Sequence, residues 1–80
     1  MHFAKNLKFL REKIGLNQSE MADKFYITRS AVGMWENGIR EPDIEMLICL
    51  ADFFEVTLDQ LVKQELYKGD GGKKDGRIKE

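Results

Sequence analysis

Residues 16–38 read LNQSEMADKFYITRSAVGMWENG. Asn17 is an N-cap residue, and Glu20 three positions later completes capping-box logic, with Asn in place of Ser or Thr. Met21, Ala22 and Phe25 then form the buried stripe of a short helix. A turn centred on Tyr26-Ile27 follows, and Thr28 caps another short helix whose Val32 and Trp35 face inward. Asn37-Gly38 closes that helix with residues that tolerate left-handed backbone angles. Two capped helices joined by a tight turn leave the outer face of the second one projecting from the domain.

The flanks extend the same pattern. Upstream, Phe3, Leu7, Leu10 and Ile14 recur at 4, 3 and 4, a helical stripe that Gly15 ends. Downstream, residues 39–42 read as a loop, and Asp43 caps a fourth helix with a stripe of Leu47, Leu50, Ala51 and Phe54. Thr57 with Gln60 opens a short fifth helix holding Leu58 and Leu61. No stretch alternates with period two for long enough to make a strand. The expected fold is all-α, with five short helices in one domain over residues 1–67. Residues 68–80 carry four glycines and five Lys/Arg with a single apolar side chain, Ile78, and are expected to form a disordered Gly/Lys-rich tail.

Eighty residues with 42% hydrophobic content suit one small core and are too few for two domains. No apolar run approaches the roughly 20 residues that span a bilayer, and no signal-peptide pattern opens the chain, so a cytoplasmic protein is expected. A single cysteine, Cys49, excludes an internal disulfide and a multi-Cys zinc site, and reads as a plain apolar residue on the fourth helix. His2 has no partner at metal-ligand spacing. The carboxylates Asp43, Glu45, Asp52 and Glu55 are scattered along a solvated face with no His nearby. Without a Gly-rich phosphate loop or a nucleophile–base pair, neither an enzyme, a metal site nor a cofactor is expected.

The formal net charge of −1 argues on average against a polyanionic partner. The average hides an asymmetry. Residues 1–40 hold seven Lys/Arg against four Asp/Glu (+3), residues 41–67 one against seven (−6), and residues 68–80 five against three (+2). A basic side facing a polyanion and an acidic side facing elsewhere fits this pattern, and so do two ordinary solvated surfaces.

The outer face of the third helix carries Arg29, Ser30, Gly33, Met34 and Asn37. Such a slim polar helix fits a major groove about 12 Å wide, where Arg can bond the guanine O6/N7 edge and Met can touch a thymine methyl. Met34 could instead fill a gap in the core, but Val32 and Trp35 already define the inward face, which favours base contact. Trp35 is assigned to the core rather than to a stacking platform, because single-strand binders display several aromatics.

Residues 16–38, with NLKFLREKIGLNQ before and REPDIEMLICLADFFEVTLDQLV after, resemble the lambda-repressor/Cro-like group of helix-turn-helix domains, the XRE family, over residues 5–62. The resemblance implies a five-helix lambda-repressor-like domain that binds double-stranded DNA, reads a pseudo-palindromic operator as a homodimer, and regulates transcription, most simply as a repressor. Arg29, Ser30 and Met34 match base-reading positions. Gln18, Thr28 and Asn37 match backbone-contacting or capping positions, and Asn17 and Arg40 are grouped with them at the DNA backbone. Arg11 and Glu36 match a pair that bridges the first helix to the end of the third. Tyr26 and Glu55 stand where the family commonly has Gly, so their backbone must adopt left-handed angles or a different turn. Gly33 inside the recognition helix either lets the backbone approach DNA or is simply tolerated there. Ile48, Phe53, Leu66 and Tyr67 exceed what one small core needs. Phe53, Leu66 and Tyr67 are therefore expected at a dimer interface, with capping of the core edge as the alternative. A second functional expectation is an antitoxin-type or accessory module whose main role is binding another protein.

Overall fold

The computed structural model describes residues 1–68. They form α1 (Phe3–Lys13), α2 (Gln18–Lys24), α3 (Arg29–Glu36), α4 (Ile44–Phe54), α5 (Leu58–Lys63) and a closing 3₁₀ turn, Leu66–Lys68. The chain is all-α, as expected, and no strand occurs among the described residues. The expected tail lies outside them apart from Lys68, the last residue of the 3₁₀ turn. No helix of the described residues is long and apolar enough to cross a membrane.

Each helix after the first starts on the side-chain cap expected from the sequence. Asn17, Thr28, Asp43 and Thr57 accept from the backbone N–H three residues ahead, and Asn17 and Thr57 complete capping boxes with Glu20 and Gln60. The ends are equally uniform. Helices α1 to α4 each finish on a left-handed residue, namely Gly15, Tyr26, Gly38 and Glu55, with φ of 82°, 57°, 74° and 59°. In each case the next N–H reaches back five residues: Leu16 to the Arg11 carbonyl, Ile27 to Ala22, Ile39 to Met34 and Val56 to Ala51. This is the Schellman closure, which satisfies helix-end carbonyls that would otherwise be orphaned.

In three of the four connections the left-handed residue, one apolar residue and the next cap follow directly: Gly15-Leu16-Asn17, Tyr26-Ile27-Thr28 and Glu55-Val56-Thr57. The central Leu16, Ile27 and Val56 all pack against the core. The connector thus turns the chain and plugs the gap between helix ends in three or four residues. Tyr26 and Glu55 adopt the angles that Gly would adopt at no steric penalty, a conformation costing a side-chain-bearing residue roughly 1–2 kcal/mol.

All five helices supply the core: Phe3, Leu7 and Leu10 from α1, Met21 and Ala22 from α2, Val32 and Trp35 from α3, Leu50 and Ala51 from α4, and Leu61 from α5. One expected core residue falls elsewhere. Ile14 continues the spacing of the α1 stripe, yet the helix ends at Lys13 and the turn into Gly15 leaves Ile14 51% exposed.

The buried polar residue Asn6 holds the C-terminal end. It sits on the core stripe between Phe3 and Leu7 and is fully buried. Its Nδ2 donates to the carbonyls of Leu61 and Gln64 at 2.8 and 2.7 Å, and its Oδ1 accepts the Tyr67 N–H at 3.0 Å. One side chain of α1 therefore finishes α5 and seats the 3₁₀ turn. Leu66 packs against the core, and the Tyr67 ring lies beneath the Lys5 ammonium, 5.0 Å from its centroid.

Asn6→Ala should cost about 2–3 kcal/mol in urea unfolding at constant m-value, because it leaves buried backbone groups without partners. Tyr26→Gly should instead stabilise the domain by about 0.5–1 kcal/mol, the steric relief exceeding the added entropy of the unfolded chain.

Candidate nucleic-acid interface

Helix α3 presents Arg29, Ser30, Gly33, Met34 and Asn37 within one sector of its surface, opposite the buried Val32 and Trp35. Arg29, Ser30 and Asn37 are exposed, whereas Gly33 and Met34 are half-buried. Arg29 enters no ion pair among the described residues, so its guanidinium is not committed to an internal carboxylate. Arg40 is exposed in the loop after α3.

The side chains expected beside the sugar-phosphate backbone carry structural duties as well. Asn17 Oδ1 accepts the Glu20 N–H at 2.7 Å, and Thr28 Oγ1 accepts the Ala31 N–H at 3.1 Å. The amide Nδ2 of Asn17 and the hydroxyl proton of Thr28 remain outside those bonds.

The angle of α3 is set from behind by the expected Arg11–Glu36 pair. Arg11 Nε donates to Glu36 Oε2 at 2.6 Å and Nη2 to Glu36 Oε1 at 3.0 Å, a bidentate fork. A third guanidinium nitrogen, Nη1, donates to the Leu16 carbonyl at 2.7 Å in the α1–α2 connector. The Glu36 side chain is only 3% exposed. Its hydrogen bond holds the Arg11 pKa above the ordinary value, against the opposing pull of burial. The guanidinium is therefore charged at any pH at which the protein folds.

The carboxylate makes one further bond, absent from the expectations above: Gln18 Nε2 donates to Glu36 Oε1 at 3.1 Å. Residues from α1, α2 and α3 thus converge on a single buried carboxylate. The pairing spans 18 positions and has no periodic signature. Its nearest sequence clue is Gly33, one turn before Asn37, facing Gln18.

The three residues expected at a dimer interface have different surroundings. Phe53, 37% exposed, stacks edge-on to Phe25 and Phe54 with centroids 5.2 and 5.0 Å away, beside the α2–α3 turn. Leu66 and Tyr67 pack toward α1, where the Tyr67 ring also lies 5.6 Å from His2. Ile48 is 47% exposed on α4.

A family model described as helix-turn-helix matches residues 7–61. The HTH-type transcriptional activator BcrR of Enterococcus faecalis is 38% identical over 65 residues, 81% of this chain and 32% of that protein. An uncharacterized HTH-type transcriptional regulator of Bacillus subtilis, YqaE, is 46% identical over 63 residues, 79% of this chain and 54% of its own length. ImmR, an HTH-type transcriptional regulator of the same organism, is 35% identical over 69 residues, 85% and 54% respectively. The chain therefore spans between one third and just over half the length of these relatives.

Glu36→Gln, which leaves Arg11 charged and buried against a neutral amide, should destabilise the domain by about 3–5 kcal/mol. Arg11→Met with Glu36→Leu should recover most of that loss in urea unfolding, because the desolvation of both charges disappears together.

Proposed function

The chain belongs to the XRE-type helix-turn-helix family, and on that footing we propose that it is a sequence-specific double-stranded DNA-binding transcriptional regulator. The observation that carries the reading is the outer face of α3, where Arg29, in no ion pair among the described residues, stands beside Ser30 and Met34 on a slim helix braced from behind by a buried ion pair. Arg29, Ser30 and Met34 read base edges in the major groove. Asn17, Gln18, Thr28, Asn37 and Arg40 hold the phosphate backbone and fix the register.

The protein works as a homodimer on a pseudo-palindromic operator, its recognition helices entering successive major grooves about 34–36 Å apart. Phe53, with residues around Leu66 and Tyr67, forms the contact between copies. The exposed apolar side chains of α4, Ile44, Ile48 and Phe53, support an interface on the helix that follows the helix-turn-helix. The same surface supports a second reading, in which binding another protein is the main role of an antitoxin-type or accessory module. Regulation is most simply repression by occupying the operator, in the cytoplasm.

With a net charge of only −1, affinity leans on base contacts and dimerisation rather than on bulk charge. Selection of bound duplexes from a random pool at two salt concentrations should return a palindrome with half-sites one helical turn apart. Enrichment of no sequence would reject the proposal. Arg29→Ala should weaken binding to the selected duplex by about 1–3 kcal/mol and relax preference at one base pair per half-site.

A further inference from the structure

Two faces of the domain carry charges that have no counterpart among the described residues. The first is the outer side of α1, where Lys5, Lys8 and Lys13 are exposed and enter no ion pair there. These lysines frame an aromatic surface. Lys5 lies over the Tyr67 ring, and Lys13 over that of Phe9, 5.7 Å from its centroid. Lys5, Lys8, Phe9, Glu12 and Tyr67 line an open groove of about 260 Å³ between α1 and the 3₁₀ turn. Its one carboxylate, Glu12, approaches Arg11 at 3.9 Å. The second face is the outer side of α4. There Glu45 and Asp52 are exposed, enter no ion pair among the described residues, and share the helix surface with the exposed Ile44 and Ile48. One face is cationic and aromatic, the other anionic and aliphatic.

Helix α5 packs on both α1 and α4, so the two faces flank it. A twofold axis running along α5 sets α4 of one copy opposite α1 of the other, and does so twice. We propose that α4 of a second copy of this chain occupies the α1 groove. Glu45 and Asp52 of one copy face Lys5 and Lys8 of the other, and Ile44 and Ile48 pack against Phe9 and Tyr67. The crossed pairing follows from charge: α1 against α1 would oppose lysine to lysine, and α4 against α4 carboxylate to carboxylate, both unfavourable. The proposal rests on the homodimer reading above and deepens it. Phe53 belongs to α4 and Tyr67 lies against α1, on opposite flanks of α5 within one copy. Across the axis the flanks meet, which brings both residues to one contact. That contact draws no residue from α3.

Two charge-reversed variants of the full chain test it: Lys5→Glu with Lys8→Glu, and Glu45→Lys with Asp52→Lys. All four side chains are exposed, so both variants should fold, which circular dichroism checks. Alone, each variant meets only like charge across the axis. Its dimer dissociation constant in analytical ultracentrifugation should rise at least about tenfold above that of the wild type. Mixed one to one, the two variants meet opposite charge at both contacts. Dimers should then return, with a dissociation constant within about threefold of the wild-type value. Raising the salt from about 0.1 to 1 M should weaken the wild-type dimer. Either variant dimerising alone as tightly as the wild type, or a mixture that stays monomeric, would overturn the proposal. A wild type that is monomeric in free solution overturns it as well. The number of copies bound to the selected operator duplex then decides the homodimer reading separately.

Discussion

A single carboxylate, that of Glu36, ties three helices together. It takes two hydrogen bonds from Arg11 of α1 and one from Gln18 of α2, and it stands on the last turn of α3. Burying the two charges carries a desolvation penalty that the fork and the added bonds offset, so the network contributes more to geometry than to net stability. The Arg11 guanidinium reaches further, to the Leu16 carbonyl, and so fixes the α1–α2 connector as well. A displacement of the Glu36 carboxylate would break its three hydrogen bonds at once.

The rest of the architecture serves the pose of α3 economically. Left-handed closures and side-chain caps alternate along the chain, so three of the connections need only three or four residues each. Short connectors hold successive helices close enough for every one of them to reach a common core, which a chain of this size needs. At the far end, Asn6 does for α5 and the 3₁₀ turn what Glu36 does for α3, using hydrogen bonds without charge. Tyr26 is the exception to economy. Its backbone is strained at φ 57°, yet its side chain is 96% exposed and shows no ring stacking or side-chain hydrogen bond among the described residues. Nothing in the fold explains the choice of tyrosine there.

What the sequence disclosed follows the range of each interaction. The caps at Asn17, Thr28, Asp43 and Thr57 were legible because a cap and its partner lie three residues apart. The left-handed ends at Gly15 and Gly38 were legible from residue type, whereas those at Tyr26 and Glu55 became visible only through the family resemblance. Ile14 misled because periodicity does not register where a helix stops. Asn6 and the Gln18–Glu36 bond were missed because their partners lie 18 to 61 positions away, where spacing carries no information. Asn6 did leave a trace, a polar residue on an otherwise apolar stripe. The outer face of α3 was placed by its periodicity, although Gly33 and Met34 are less exposed than Arg29 and Ser30.

On the proposed reading, the Glu36 clamp delivers α3 to the major groove at one fixed angle, and specificity follows from the side chains it carries there. Isotope-filtered nuclear Overhauser spectra of the labelled protein bound to an unlabelled operator duplex test this most directly. The account predicts contacts from Met34 and Arg29 to thymine methyl and cytosine H5 protons, which line the major groove. Contacts confined to adenine H2 and sugar H1′ protons of the minor groove, or arising from α4 and α5 instead of α3, would contradict it.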